Sequence, residues 1–172
     1  MPKALHQSWI DLSAGVPDDG SSIVRFDFSG TFSEGSHEGT VFAGRIEYDP
    51  STPATEHHPS FAIYGQWPAP IVIIAVGGQV LTSAGAAVYD RVDDGLGGHF
   101  DFVTMFGTGQ IAQQEQSFFE LLFSAEDMSM LDGTQMPSAR QLQTMPLKQV
   151  SFGTSDPADV ISRGDLMLHP AG

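Results

Sequence analysis

From residue 23 onward, apolar and polar side chains alternate along the chain. Val24, Phe26 and Phe28 fall on one side of an extended segment and Ile23, Arg25 and Asp27 on the other, a period that predicts a half-buried β-strand. Thr40 to Tyr48 repeats the pattern, with Phe42, Gly44, Ile46 and Tyr48 on one face. With the Ser33-Glu34-Gly35 turn between them, these two segments read as a hairpin. Asp49-Pro50-Ser51-Thr52-Pro53 ends the second strand, because proline has no N–H for a ladder, and a loop runs on to Pro59. Phe61 to Tyr64, Ile71 to Val76, Gln79 to Thr82 and Ala86 to Val92 follow as short strands, separated by Gly65 to Pro70, Gly77-Gly78 and Ser83 to Gly85. After the Asp93-Asp94-Gly95 turn, Phe100, Phe102, Thr104 and Phe106 alternate with His99, Asp101, Val103 and Met105, the clearest alternation in the chain.

The later segments are less regular. Gln110 to Gln116 is polar and reads as a loop or a frayed helical turn, and the Phe- and Leu-rich run Ser117 to Ser124 reads as a strand buried on both faces. Glu126 to Met145 mixes helix formers with Gly133 and Pro137, which predicts an irregular excursion with one short helix. Leu147 to Phe152 is a last full strand, and Asp159 to Leu168 an edge strand or docked tail. The expected fold is all-β: an antiparallel, jelly-roll-like β-sandwich or a flattened β-barrel of about 8–10 strands. The expected organisation is a single domain over 23–168, with an irregular lead-in (1–22) before it and a tail (169–172) after it.

Composition narrows this picture. The 172 residues are enough for one core, and 41% apolar content with twelve Phe argues against wholesale disorder. Seven Lys and Arg against 21 Asp and Glu give a formal charge of −14, which argues against a nucleic-acid partner. Surplus carboxylates also keep strand edges from pairing between molecules. The longest apolar run, Ala69 to Val76, is interrupted by Pro70 and is far short of the roughly 20 residues a membrane helix needs, so no membrane span is expected. The absence of cysteine excludes disulfides and thiolate chemistry.

The order of motifs resembles a known family. Phe28-Ser29-Gly30-Thr31-Phe32, followed by Gly44-Arg45-Ile46-Glu47-Tyr48-Asp49-Pro50-Ser51-Thr52-Pro53, resembles the opening of bacterial all-β proteins of the PEP-CTERM-associated type. Val76-Gly77-Gly78-Gln79-Val80-Leu81-Thr82 is similar to their central hairpin, Asp101-Phe102 to a later strand, and Phe119 to Phe123 followed by Leu131 and Met136-Pro137 to their close. The resemblance covers residues 23–152 and implies an exported, surface-associated β protein. The chain departs from it in showing neither a leader peptide nor a terminal Pro-Glu-Pro, apolar and basic sorting signal, so localisation is left open.

Candidate chemistry is sparse. His57 and His58, beside Glu56, are the imidazoles best placed to hold zinc, copper or nickel, provided the loop bends and distant groups such as His37 and Glu38 join them. His99 and Asp101 lie two apart on one strand face, where the carboxylate could orient the imidazole for proton transfer, and they form the candidate catalytic pair. Trp67, in a stiff Pro-flanked loop, is the candidate ligand platform, with Tyr64, Phe100 and Phe102 as further ligand contacts. Asp90 to Gly95 misses the spacing of a calcium loop, and no Gly-x-Ser-x-Gly elbow is present. No cofactor is expected. The leading expectation is a non-catalytic binding or surface-associated β domain, acting through loops at one end on a small molecule, protein or glycan, with homo-oligomerisation an option. The alternative is a small β-barrel enzyme or carrier enclosing an apolar small molecule in a Phe-rich lumen.

Overall fold

The computed structural model describes residues 23–65, 70–93, 98–112, 115–126 and 130–171. The lead-in 1–22, the Trp67 loop and the turn at 94–97 lie outside the described residues. β1 (Val24–Thr31) and β2 (Val41–Tyr48) form the expected hairpin, and their alternation is realised with Val24, Phe26, Phe28, Phe42, Ile46 and Tyr48 all buried. Two large rings on one narrow inner face need room, and glycines provide it. Phe28 stands opposite Gly44 and Phe42 opposite Gly30. A β-carbon on Gly44 would lie 2.5 Å from the Phe28 ring, and one on Gly30 would lie 2.4 Å from the Phe42 ring.

The remaining elements are β3 (Glu56–His57), β4 (Phe61–Tyr64), β5 (Val72–Val76), β6 (Gln79–Asp93), β7 (His99–Ala112), β8 (Glu115–Ala125), α1 (Ala139–Thr144), β9 (Leu147–Thr154) and β10 (Ser162–Pro170). The ladder runs β6-β5-β2-β1-β10-β9-β8-β7 and returns from β7 to β6, all antiparallel, so the sheet is a closed eight-stranded barrel. The fold is therefore all-β, and of the two architectures expected it is the barrel. Closure removes the edges that an open sheet would have to protect. β4 pairs with Phe61↔Tyr89 to Tyr64↔Ala86 of β6, beyond the part of β6 that pairs with β5, and carries the two-residue β3 outward.

Several local expectations are corrected. Gln79 to Thr82 and Ala86 to Val92 are one strand: the register shifts between Thr82 and Gly85 without a turn, because the Ser83 hydroxyl satisfies the irregularity by bonding Gly85 and the Phe106 carbonyl. Most of the expected loop at 110–116 is strand, with β7 running to Ala112 and β8 starting at Glu115. β8 is buried on one face only: Phe119, Leu121 and Phe123 point inward while Phe118 is 38% exposed. β10 is not at an edge; it pairs with both β9 and β1 and closes the ring. The Phe row of β7 faces outward: Asp101, Val103 and Met105 are fully buried, while Phe100 and Phe102 are half-buried and Phe106 is 47% exposed. Both faces of that strand are apolar, so period alone cannot choose between them. Pairing chooses, by setting Val103 between Val88 and Phe123.

The inner faces converge on an aromatic and aliphatic core. Phe32 packs on Phe42 and Phe152 at centroid distances of 4.8 and 6.0 Å, and Phe119, Phe123, Ile74, Leu81 and Leu121 are buried with them. One end of the barrel is closed by residues 130–146. Leu131, Met136, Leu142 and Met145 insert into the core, and α1 starts on a capping box in which Ser138 and Gln141 bond each other's backbone N–H.

Candidate functional site

The segment 130–137 is a plug fastened by side chains from several strands, and each fastening follows from a polar group that burial obliges to find a partner. Tyr48 ends the inner face of β2, and its hydroxyl donates to the Pro137 carbonyl at 2.8 Å. Tyr64 ends β4, and its hydroxyl donates to the Thr134 carbonyl at 2.8 Å. Burial pushes both phenols above the usual tyrosine range; at Tyr64 the Met136 N–H pulls the other way. Where β6 meets β7, two residues, Asp90 and Arg91, face the single residue Asp101, a β-bulge in which Arg91 adopts φ +57°. Asp101 stabilises that bulge. Its two oxygens accept the Arg91 N–H at 2.9 Å and the Leu131 N–H at 2.8 Å, so one carboxylate ties bulge to plug.

Asp90 shares this end of the barrel. Its carboxyl is raised above the ordinary carboxylate range, first by burial and then by the charge of Asp101, with the Arg91 guanidinium and the Gly133 N–H opposing. Its Oδ1 is buried, with Arg91 Nε at 3.5 Å. Asp101 thus holds the Leu131 end of the plug from the inner face of the barrel, with Asp90 beside it.

Beside the plug lies an open cleft of about 420 Å³, bounded by Pro50 to Ala54, by His57 and Tyr64 of the β3–β4 hairpin, and by Thr134 and Gln135. The prolines that end β2 hold one wall. His57 Nε2 lies 3.1 Å from Thr134 Oγ1, which joins hairpin to plug across the cleft floor. The lining therefore offers imidazole, hydroxyl and carboxamide groups and carries no Asp, Glu, Lys or Arg side chain. Such a surface exchanges hydrogen bonds with neutral polar groups better than it binds ions.

The structure separates several residues that the sequence suggested together. His99 is exposed at the start of β7 and Asp101 is fully buried with both oxygens on backbone N–H groups; no hydrogen bond joins them among the described residues. His57 and His58 have different neighbours, Thr134 for the first and Phe61 for the second, whose ring stacks on His58 at 4.1 Å. Among the described residues no group of three metal-ligating side chains converges. His37 is turned away from both, at the other end of the barrel, 3.5 Å from Asp159 and edge-on to Phe152.

Phe102 and Tyr64 also diverge. Phe102 stacks on Tyr89 at 4.2 Å, Tyr89 on Phe61 at 5.6 Å, and Phe61 on His58, a four-ring column on the outer wall that clasps the β3–β4 hairpin to β6 and β7. Inner rings of a column have both faces covered, so they offer edges rather than a stacking platform. Phe100 is half-buried opposite Val92, and Trp67 lies outside the described residues. Of the candidate ligand contacts, Tyr64 reaches the cleft. Thr134 and Gln135 were not singled out from sequence, and Asp90 figured there only in a calcium-loop pattern whose spacing it missed; the available hint was Tyr48 on an apolar strand face, a residue type that needs a hydrogen-bond partner when buried. Comparison of the chain with family models, curated proteins and solved structures finds no match.

Proposed function

We propose that this protein is a non-catalytic binding domain in which the closed barrel is a rigid scaffold and the cleft at its plugged end takes a neutral, hydroxyl- or amide-bearing small ligand such as a saccharide unit. The supporting observation is the cleft itself. Its volume of about 420 Å³ is within the range of small-molecule sites, and its polar groups belong to elements fixed by β2, β4 and the plug. The motif order shared with PEP-CTERM-associated proteins supports an exported, surface-associated setting for such a domain.

A heteronuclear NMR titration with glucose, N-acetylglucosamine and their β-linked disaccharides tests this reading. Shifts concentrated at Thr52, Ala54, Thr134 and Gln135 are expected, weakened about tenfold by Gln135→Ala, an exposed position whose loss leaves the plug bonds intact. Perturbations absent from these residues at millimolar sugar would refute it. The carrier alternative is favoured by a different feature, the closed barrel with its aromatic interior. It predicts an apolar molecule recovered by organic extraction of the purified protein, and shifts at Phe42, Phe119 and Phe152 instead.

A further inference from the structure

We infer that the outer face of β1, β2 and β5, with the adjoining end of β10, is the contact surface for a second copy of this chain. Apart from Arg25, Asp27, Arg45, Glu47 and His169, the outward residues there are small or apolar. Val41 is 64% exposed, Ile73 46%, Val80 66% and Met167 61%, and Ala43 and Ala75 lie exposed between them. Pairing lines them up across the sheet: Met167, Ser29, Ala43, Ala75 and Val80 form one continuous row, and Asp27, Arg45, Ile73 and Thr82 the next. Monomers rarely present such contiguous apolar surface to water without a use for it.

Charge identifies the occupant as a second copy. The chain carries −14 overall, so two molecules repel over most of their surfaces. This face is close to neutral: Arg25 pairs with Glu47, and Arg45 with Asp27, each at 2.7 Å, and Asp165 of β10 adds one carboxylate at its margin. The four charges form a chequerboard across β1 and β2. A two-fold axis along the β1–β2 midline lays each strand over its counterpart, so Arg25 meets the partner's Glu47 and Asp27 meets the partner's Arg45. The same operation sets Ser29 against the partner's Ala43 and Met167 against the partner's Ala75. Like charges never meet, and the long methionine falls on the small alanine. A foreign partner would need this complementarity by coincidence, whereas a second copy has it by symmetry. The axis exchanges β1 with β2 and β10 with β5, so four strands at about 4.8 Å spacing and about six residues at 3.3 Å make a footprint of roughly 19 by 20 Å, below the size of stable contacts, and association is expected in the upper micromolar range.

Sedimentation equilibrium of the full chain between about 1 and 200 µM tests this. The mass is expected to rise from 18.4 kDa toward twice that value. Ala75→Glu should weaken the dimer at least tenfold, and Phe106→Glu, also solvent-facing but on β7 in the opposite wall, should leave it unchanged; far-ultraviolet dichroism verifies that both fold. The double exchange Asp27→Arg with Arg45→Glu keeps the ion pair within each chain and keeps unlike charges facing across the stated axis, so it should dimerise. A single mass at every concentration overturns the inference, as does a dimer insensitive to Ala75→Glu, equally sensitive to Phe106→Glu, or abolished by the double exchange. A chain that stays single but sediments with phosphatidylcholine vesicles likewise overturns the second-copy assignment.

Discussion

Replacing Gly44 by alanine adds one methyl group at the most crowded point of the β1–β2–β5 wall. The new β-carbon would stand 2.3 Å from the Ile73 carbonyl and 2.5 Å from the Phe28 ring, both far inside contact distance. The carbonyl belongs to the backbone of β5 and cannot retreat without stretching the Gly44↔Ile74 pairing, and Phe28 is 2% exposed and has no free volume to enter. Overpacking by a methyl group costs about 1–3 kcal/mol, and the stiffer unfolded chain returns roughly 0.4–1 kcal/mol, so with a backbone obstacle the net loss should be about 2–3 kcal/mol. In a chain of this length that is about 4–12 °C in melting temperature. Gly153→Ala is the matched control. The three atoms nearest its β-carbon would all belong to the Phe118 ring, the closest at 2.6 Å, and that ring is 38% exposed and can swing into solvent, so the loss should be about 1 kcal/mol or less. Differential scanning calorimetry of the two variants measures the contrast. Phe28→Leu in the Gly44→Ala background should recover about 1 kcal/mol by removing the ring contact while leaving the carbonyl one. A Gly44→Ala melt within about 2 °C of the parent, or a larger loss from Gly153→Ala, would refute the packing argument.

Three further outcomes follow from the plug. Asp101→Ala deprives the Arg91 and Leu131 N–H groups of their acceptor and should cost about 2–4 kcal/mol, with amide exchange at Leu131 accelerating more than at Val150 in the core. Tyr48→Phe leaves the Pro137 carbonyl without its donor and should lower stability by about 1–2 kcal/mol in urea titration. The folded-state Tyr48 phenol is raised above its unfolded value, so its contribution is complete below about pH 10 and is lost as pH rises further; tyrosinate absorbance from this residue should appear only with unfolding. Asp90, also raised, stabilises the fold most below its unfolded value near pH 4 and loses that contribution as pH climbs through its elevated folded value. Asp90→Asn should therefore flatten the decline in melting temperature as pH rises above about 4; an unchanged profile would count against the burial of Asp90 beside Asp101.

The sequence by itself determined the local order of the barrel. Alternation at Val24, Phe26, Phe28 and at Phe42, Ile46, Tyr48 specified two strands and their inner faces, and the prolines and glycines between segments marked most of the turns, because strand geometry fixes side-chain direction residue by residue. Where both faces of a strand are apolar, as in β7, alternation carries no sign. Only the pairing of Val103 with Val88 and Phe123 turned Phe102 and Phe106 outward. The cleft was less legible still. His57 was visible with His58 as a candidate metal ligand, but its neighbour Thr134 lies 77 residues away, in a stretch with no period of its own, and becomes its neighbour only when the plug folds back over the barrel end. Closure itself was decided in the same way: β10 reads locally as an edge strand or docked tail, and becomes an interior strand of the ring because β1 and β9 both present it with unpaired backbone. Strand identity is a property of neighbouring residues, whereas closure, facing and the cleft depend on contacts between segments far apart in the chain, and those are set by the burial of the shared core.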